Sequence, residues 1–375
     1  APVMINDRVF NLEGQVEFGG CLRCVQVDRE GIHIVETPNE VFEIPETETE
    51  QTEENISVNE MILALRTNNY IQEKRFGNFT EKAFYEKEWN EQTTKARGLY
   101  LDTEKGTVAA RAYTKFFNIN ERPETKFDRL QYKLKFPVTA YVKENGFLGI
   151  VSFDEYEDDL FVATKSTTQG LFAQWLKEML YEKVSPENIK RIKEFCKENQ
   201  VTMVFECVDM KHDPHIVEYP KSELFLLDIV KNQLSFAKYE YDHVRHVAEQ
   251  FGLAHKEKAF EIPSWQEFFD WYYKVTAEEY EYNGRKIEGF VIEDSEGYMT
   301  KLKLSYYNFW KFMRSVARES IRKGYIAKTS ALTTPTANAF YGWVRKLHDA
   351  EDVDSVPKDI CTLRRMFYEE TEPSL

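Results

Sequence analysis

Between Arg97 and Lys303 short apolar runs alternate with amphipathic segments, and two periodicities separate. Runs of period two, or continuous runs bounded by turn residues, predict strands at "RGLYLD", "TVAARAY", "TAYVKE", "FLGIVSF", "LFVATKS", "TMVFECV", "LFLLDIV", "IEGFVIED" and "YMTKLKL". Apolar positions three and four apart predict helices at "GLFAQWLKEMLYEK", "SPENIKRIKEFCKEN", "DHVRHVAEQFGL" and "SWQEFFDWYYKV". Their ends are marked by Ser185 ahead of Pro186, by Ser264 with Glu267 three residues on, and by Gly252 as a stop. Meanders of strands interrupted by helices, without regular βαβ repeats, define an α+β class with an antiparallel sheet.

The flanks read differently. Residues 1–35 alternate around glycines ("RVFNLEGQVEFGG", "GIHIVET") and predict short strands. From Val35 to Met61 there are nine glutamates and no Lys or Arg, the pattern of a solvated linker, which places a boundary near residue 55. "SVNEMILALRTNNY" then predicts a helix capped by Ser57 and Glu60. After Lys303, Tyr306, Phe309, Met313 and Val316 recur at helical spacing up to Gly324, and two more helical patterns follow. The expected organisation is a small β-rich segment with its linker over 1–55, a main α+β domain over 56–303, and a small all-helical domain over 304–375.

Composition narrows the setting. The 375 residues are 42% hydrophobic and 14% aromatic, enough for well-formed cores, and no run approaches the roughly 18 apolar residues of a membrane span. No secretory signal is visible, and five cysteines without a scaffold spacing predict a reducing, cytoplasmic setting with no membrane. "CLRC" is a lone CxxC. The chain starts at Ala1, which suits a processed chain or a piece of a longer one. A net charge of −15 argues at face value against nucleic acid. Yet Lys301 to Lys346 holds ten Lys/Arg and a single acid, Glu319, a local basic footprint.

The chemistry concentrates in the strands. In "VTAYVKENGFLGIVSF", Asn145-Gly146 predicts a type I′ hairpin turn with Lys143 at its shoulder. Arg97 precedes a strand, Lys115 lies in an aromatic setting, and Lys165 ends a strand. Glu206 lies inside a strand, Glu288 lies at the mouth of one, and Lys301 and Lys303 share one strand face. Taken singly, each is an ordinary surface charge. Together they suit a site that binds a triphosphate and forms a Lys–phosphate bond. Such a lysine must lose its proton, and neighbouring cations are expected to lower its pKa. Flanking cations offset charge on the phosphates, while Glu206 and Glu288 can orient a ribose and hold Mg²⁺ (or Mn²⁺) with its waters.

The order of these motifs resembles the covalent nucleotidyltransferases, whose nucleophile motif Lys-x-(Asp/Asn)-Gly is matched by Lys143, Asn145 and Gly146. "ARGLYLD", "KFFNINE" and "KLKLSYY" with a helical tail resemble, within that superfamily, ATP-dependent RNA ligases of the phage RNA ligase 1 type, over roughly residues 57–310. The resemblance implies an antiparallel-sheet nucleotidyltransferase (ATP-grasp-like ligase) domain that seals RNA 5′-phosphate and 3′-hydroxyl ends. It implies ATP and Mg²⁺ as cofactors and Lys143 as the adenylylated residue, assisted by Lys301 and Lys303. Arg97, Lys115, Glu144, Gly146, Lys165, Glu206 and Glu288 complete the implied nucleotide site, with Glu206 and Glu288 also toward the metal. Asp228 in "FLLDI" occupies the place of the motif beside the adenine. Asn145 replaces the usual aspartate and removes a charge. Residues 1–50 have no counterpart in the simple phage enzymes and suit the tail of an end-healing kinase or phosphatase module.

The implied partners are single-stranded or nicked RNA ends, tRNA among them. A capping-type guanylyltransferase or a DNA ligase would share the lysine chemistry, but both typically continue into an OB barrel where this chain reads as helical. A non-catalytic RNA-binding protein would leave Glu206, Glu288 and the ordered lysines without a role. The pairs His212/His215 and His243/His246 lack further ligands at a metal-site spacing. Lys311, Arg314, Arg318 and Arg322 fall on one stripe of the first tail helix, where they could grip RNA phosphates.

Overall fold

In a computed structural model, residues 4–6, 9–10, 22–28, 31–37, 58–67, 71–76, 79–84, 89–326, 329–348 and 356–371 are described. The chain divides into two units, Ala1–Asn55 and Ile56–Leu375. In the first, strands β1 (Met4–Asn6) and β2 (Val9–Phe10) pair antiparallel, as do β3 (Leu22–Asp28) and β4 (Gly31–Thr37). The acidic stretch over 38–57, with the expected Ser57 cap, lies outside the described residues.

The second unit opens with helix α1 (Val58–Arg66), strands β5 (Ile71–Phe76) and β6 (Phe79–Phe84), helix α2 (Glu91–Ala96), and strands β7 (Leu99–Asp102) and β8 (Thr107–Arg111). The four strands form a meander in the order β5-β6-β7-β8. Next come α3 (Phe127–Lys133), β9 (Val138–Lys143), β10 (Phe147–Asp154), β11 (Asp159–Thr164), α4 (Leu171–Lys183), α5 (Pro186–Asn199), β12 (Val201–Val208) and β13 (Glu223–Lys231). The remainder is α6 (Tyr241–Phe251), β14 (Ala254–His255), β15 (Lys258–Ile262), α7 (Trp265–Val275), β16 (Gly289–Glu293), β17 (Met299–Lys303), α8 (Ser305–Lys323), α9 (Pro335–His348) and α10 (Ile360–Thr371). Two central sheets result, a five-stranded one ordered β11-β10-β12-β13-β14 and a four-stranded one ordered β15-β9-β16-β17. Pairing is antiparallel except between β13 and β14. This is the α+β class expected from the pattern.

Helices α4, α5 and α6 bury Leu176, Ile192 and Val244 against Met203, Phe205 and Ile229 of the five-stranded sheet. The other face of that sheet, through Ile150, Val204 and Val230, closes on Tyr100 and Ala110 of the meander. Helices α3 and α7 cover the four-stranded sheet with Leu130, Phe268 and Trp271 against Val138, Ala140 and Phe290. The tail helices share a separate core around Trp310, Met313, Phe340 and Phe367. Helix ends follow local chemistry: Ser185 accepts from the Asn188 N–H, Ser264 accepts from the Glu267 N–H, and α8 stops at Gly324 with φ 75°. The buried stripe of α8 is Tyr307, Trp310, Met313 and Val316, one residue round the helix from the expected Tyr306 and Phe309, which are half-buried. Among the described residues, no helix is long and apolar enough to cross a membrane.

One expectation fails in an instructive way. β9 and β10 are not a hairpin: β9 pairs with β15 and β16, while β10 pairs with β11 and β12. Neither Asn145 nor Gly146 has the positive φ that a type I′ turn requires. Residues 144–146 instead cross from one sheet to the other. The glycine serves a close approach, because a Cβ there would lie 2.1 Å from the backbone oxygen of Cys207 on β12.

Candidate active site

The crossover places Lys143 at the wall of a cavity of about 290 Å³ between the two central sheets. Register does the positioning. Gly289 pairs with both Lys143 on one side and Lys303 on the other, so the ends of β9, β16 and β17 are level. Lys301 lies two residues along from Lys303, opposite Val291, and lines the same cavity. Gly289 permits this, since with φ 156° a Cβ would stand 1.9 Å from the Leu302 oxygen. Glu288, immediately before it, is buried and faces both lysines. Its Oε2 is 3.1 Å from Lys143 Nζ, and its Oε1 is 2.8 Å from Lys303 Nζ.

Asn145 completes the knot. It is buried, donates from Nδ2 to Glu288 Oε2 at 2.8 Å, and accepts at Oδ1 from the Ile216 and Val217 N–H groups, each at 3.1 Å. Glu206 of β12 accepts at Oε1 from the Gly146 N–H at 2.9 Å, and that oxygen is 4.0 Å from Lys143 Nζ. Glu144 is buried beside Tyr219, whose hydroxyl donates to its Oε2 at 2.8 Å, and burial raises its pKa. Arg97, at the end of α2, and Lys115 line the cavity wall. Lys115 lies 4.6 Å from the Phe117 ring centroid. Burial lowers the pKa of both cations.

The charges therefore settle differently from the expectation that cations would depress the pKa of Lys143. Burial does lower it, but Glu288 and Glu206 outweigh burial, and the amine is held above its ordinary value. The strongly depressed lysine of the cavity is Lys301. Burial, then Lys115, Lys143, Arg97 and Lys303, push it down to about 6. Glu288 goes the other way: burial raises its pKa, but Lys143 and Lys303 carry it below the usual carboxylate range. The resting site is thus a clamped lysine next to a cation cluster that is short of negative charge.

Lys165 is not brought in. It is exposed just beyond β11, the edge strand of the five-stranded sheet, and does not line the cavity. The basic residues of α8 lie outside as well. Lys311, nearest the site, has its Nζ 6.0 Å from the Tyr307 ring centroid, and Arg318 and Arg322 are exposed further along. For a divalent cation the fit is partial. Among the described residues no three His, Cys, Asp or Glu side chains converge as a metal cage. Both oxygens of Glu288 are engaged by ammonium groups, which suits a counter-ion. Glu206 offers a carboxylate not held that closely by a lysine, and Glu144 is engaged by Tyr219 and Arg285 instead.

The cavity is also lined by Asp228, which the motif order placed beside the adenine, and by Tyr113 and Lys256, which that order did not single out. Asp228 of β13 is fully buried, and its Oδ2 accepts from the Tyr113 hydroxyl at 2.6 Å and from Lys256 Nζ at 2.8 Å. Lys238 bridges Asp228 Oδ1 at 3.5 Å and Glu293 Oε1 at 2.8 Å. Lys256 also lies 4.3 Å from the ring centroid of Tyr141. One signal was available: an aspartate inside the apolar run "LFLLDIV" needs a buried partner. Lys256 and Tyr113 carried no comparable mark.

Lys143, held by Glu288 and Glu206 at a strand end, shares one cavity with Arg97, Lys115, Lys301 and Lys303, an arrangement that suits the class of proteins that set a polyphosphate against an amine. The match to known families is specific: the model of the RNA ligase family matches residues 95–307, and the chain belongs to that family. The tRNA ligase of Candida albicans is 28% identical over 222 residues, which are 52% of this chain and 26% of that protein. The tRNA ligase 1 of Schizosaccharomyces pombe is likewise 28% identical over 222 residues, 53% of this chain and 27% of that protein. The chain thus spans about a quarter of the length of the curated relatives it matches. Among solved structures, an archaeal ATP-dependent RNA ligase covers 83% of this chain and 75% of its own, with 14% identity and a TM-score of 0.47.

Proposed function

We propose that the chain is the sealing module of an ATP-dependent RNA ligase, with Lys143 as its nucleophile. The observation that carries this is the level register of Lys143, Gly289 and Lys303 around Glu288, with Lys301 lining the same cavity. Lys143 Nζ loses its proton and attacks the α-phosphorus of ATP. A P–N bond forms, the bond to the β-phosphate oxygen breaks, and pyrophosphate leaves. An oxygen of an RNA 5′-phosphate then attacks the same phosphorus, the P–N bond breaks, and AMP is joined to the RNA through a pyrophosphate linkage. Finally an RNA 3′-hydroxyl loses its proton and attacks the 5′-phosphorus, forming the phosphodiester and releasing AMP.

The chain's own residues supply position and charge. Glu288 holds Lys143 and Lys303 on either side of itself and fixes where the amine meets the phosphate. Lys303, Lys301, Lys115 and Arg97 offset the negative charge of the triphosphate and of the departing pyrophosphate. The Asp228 network lines the far end, where the base would lie. Mg²⁺ or Mn²⁺, bound chiefly through the triphosphate with Glu206 the residue best placed toward it, would further neutralise the phosphate oxygens. The RNA read along α8 by Lys311, Arg314, Arg318 and Arg322 is the same reading applied to the tail. The names of the relatives support tRNA as the RNA that is sealed, and an end-healing kinase or phosphatase module is the partner we propose for it.

The test is direct. Incubation with ATP and Mg²⁺ should add one AMP to the intact mass, at Lys143 on peptide mapping. Lys143→Ala should remove the adduct while leaving some sealing of RNA that is already 5′-adenylylated. An adduct that persisted in Lys143→Ala would refute the assignment.

A further inference from the structure

Residues 209–222 join β12, which carries Glu206, to β13, which carries Asp228. Their side chains and their backbone serve different masters. Ile216 and Val217 are buried in the core of the tail, with Trp310, Met313, Phe340 and Phe367. Their two N–H groups, however, both point at Asn145 Oδ1 beside the nucleophile, at 3.1 Å each. The tail holds this segment from behind, chiefly through one arginine. Arg364 of α10 is buried, donates from Nη1 to the Ile216 oxygen at 2.9 Å, and has Nη2 3.2 Å from Glu218 Oε1. Its guanidinium lies 5.2 Å from the Trp310 ring and 5.4 Å from that of Tyr306. Cys361, one helical turn earlier, donates to the His215 oxygen.

A continuous hydrogen-bonded path results, from Arg364 through Ile216 and Val217 to Asn145, on to Glu288 Oε2, and so to Lys143. The planar fork of an arginine, stacked between rings and bonded to a backbone oxygen, is a rigid support with little side-chain freedom left. The path is short, buried and directional, and it ends on the carboxylate that sets the place of the reacting amine.

We propose that Arg364 is a positioning residue for Lys143, and that the helical tail thereby acts on the first step, nucleotidyl transfer to the lysine, as well as on RNA. The proposal rests on the reading of Lys143 as nucleophile. It assigns the tail a role in a step that involves no RNA. A tail serving only RNA capture, or Arg364 serving only the tail's stability, would leave that step unchanged in each folded molecule.

The experiment measures, for the full chain, the single-turnover rate of Lys143–AMP formation against ATP concentration, normalised to the active fraction from the end point. Arg364→Met should lower the maximal rate constant by about 10- to 100-fold, the scale of a small misplacement of a reacting group. The ATP concentration for half-maximal rate should move less than about threefold, because the cations that bind the phosphates are untouched. Arg364→Lys, which keeps a donor toward the Ile216 oxygen, should recover part of the rate. If Arg364→Met does not yield folded protein, Glu218→Ala loosens the guanidinium from its exposed side and should show a smaller loss of the same kind. An unaltered rate constant in the folded variant, with only the active fraction or the thermal midpoint reduced, would overturn the proposal. Failure of the unsubstituted chain to label Lys143 at all would instead refute the nucleophile assignment on which it rests.

Discussion

Nucleotide binding should draw a proton from solution, and Lys301 sets how much. In the free protein this amine has a pKa of about 6, because it is buried among Lys115, Lys143, Arg97 and Lys303. At about pH 7.5 a group with that pKa is protonated in about 3% of molecules, whereas one at its ordinary value is protonated in nearly all. A triphosphate brought against the cluster supplies the missing negative charge and returns Lys301 toward its ordinary value of 10.5. Uptake should therefore be about one proton per nucleotide near pH 7.5, falling to about 0.1 near pH 5, where Lys301 is already charged. The assay is calorimetric titration with α,β-methylene-ATP and Mg²⁺, which binds without reacting, repeated in buffers of different ionisation enthalpy. The slope of observed enthalpy against buffer enthalpy reads the proton count. Lys301→Met should remove most of it. Uptake below about half a proton near pH 7.5, or full uptake retained in Lys301→Met, would show that the cluster is not electrostatically frustrated as described.

The same lysine should cost stability when no nucleotide is bound. The unfolded chain holds the Lys301 proton up to 10.5 and the folded one only up to about 6, so this group makes stability rise with pH across that window. Lys301→Met should therefore raise the thermal midpoint of the free protein near neutral pH and flatten its rise toward alkaline pH. Gly146→Ala would place a Cβ 2.1 Å from the Cys207 oxygen, where real Cβ atoms essentially never come within 3.0 Å, so the loop must retreat by about 1 Å. The cost should be about 1–3 kcal/mol in denaturant unfolding and about 100-fold in the rate of Lys143–AMP formation. On α8, Arg318→Gln with Arg322→Gln should leave adduct formation near normal and weaken binding of single-stranded RNA. If each arginine meets one phosphate, the slope of log affinity against log salt should shallow by roughly 1.4 for the pair. Unchanged slope and affinity would assign these arginines to the solvated face of the helix.

Local pattern revealed most of the strands and helices of the second unit, because a period of two or of 3.6 is written in consecutive residues. It also grouped charged residues that prove to share one place: Arg97, Lys115, Lys143, Glu206, Glu288, Lys301 and Lys303 line one cavity. What it could not reveal was partner choice. "KENG" has the local chemistry of a hairpin, yet β9 pairs with β15 and β16, far along the chain, while β10 pairs with its neighbour β11 and with β12. The sign of the shift at Lys143 is non-local for the same reason. Cations are visible in the sequence, but the 3.1 Å approach of Glu288, 145 residues away, is not. Lys165 matched a motif but lies just beyond the edge strand β11 and does not line the cavity. The hairpin of β5 and β6 and the short strands β14 and β15 went unnoticed because their polar residues blur the alternation.

The crossover at residues 144–146 has a further consequence. A lysine at the tip of a hairpin would share the freedom of a loop, and each turnover would have to find the reactive placement again. Here the chain leaves one sheet at Lys143 and enters the other at Phe147, so the intervening residues are a seam stitched on both sides. A shift of one sheet against the other strains this seam, as it strains the second crossing between β14 and β15. Lys143, the proposed nucleophile, would therefore act as a gauge of how well the two sheets are aligned. A mutation remote from the cavity that tilts either sheet should register first as a loss of rate at Lys143, before it registers as a loss of fold.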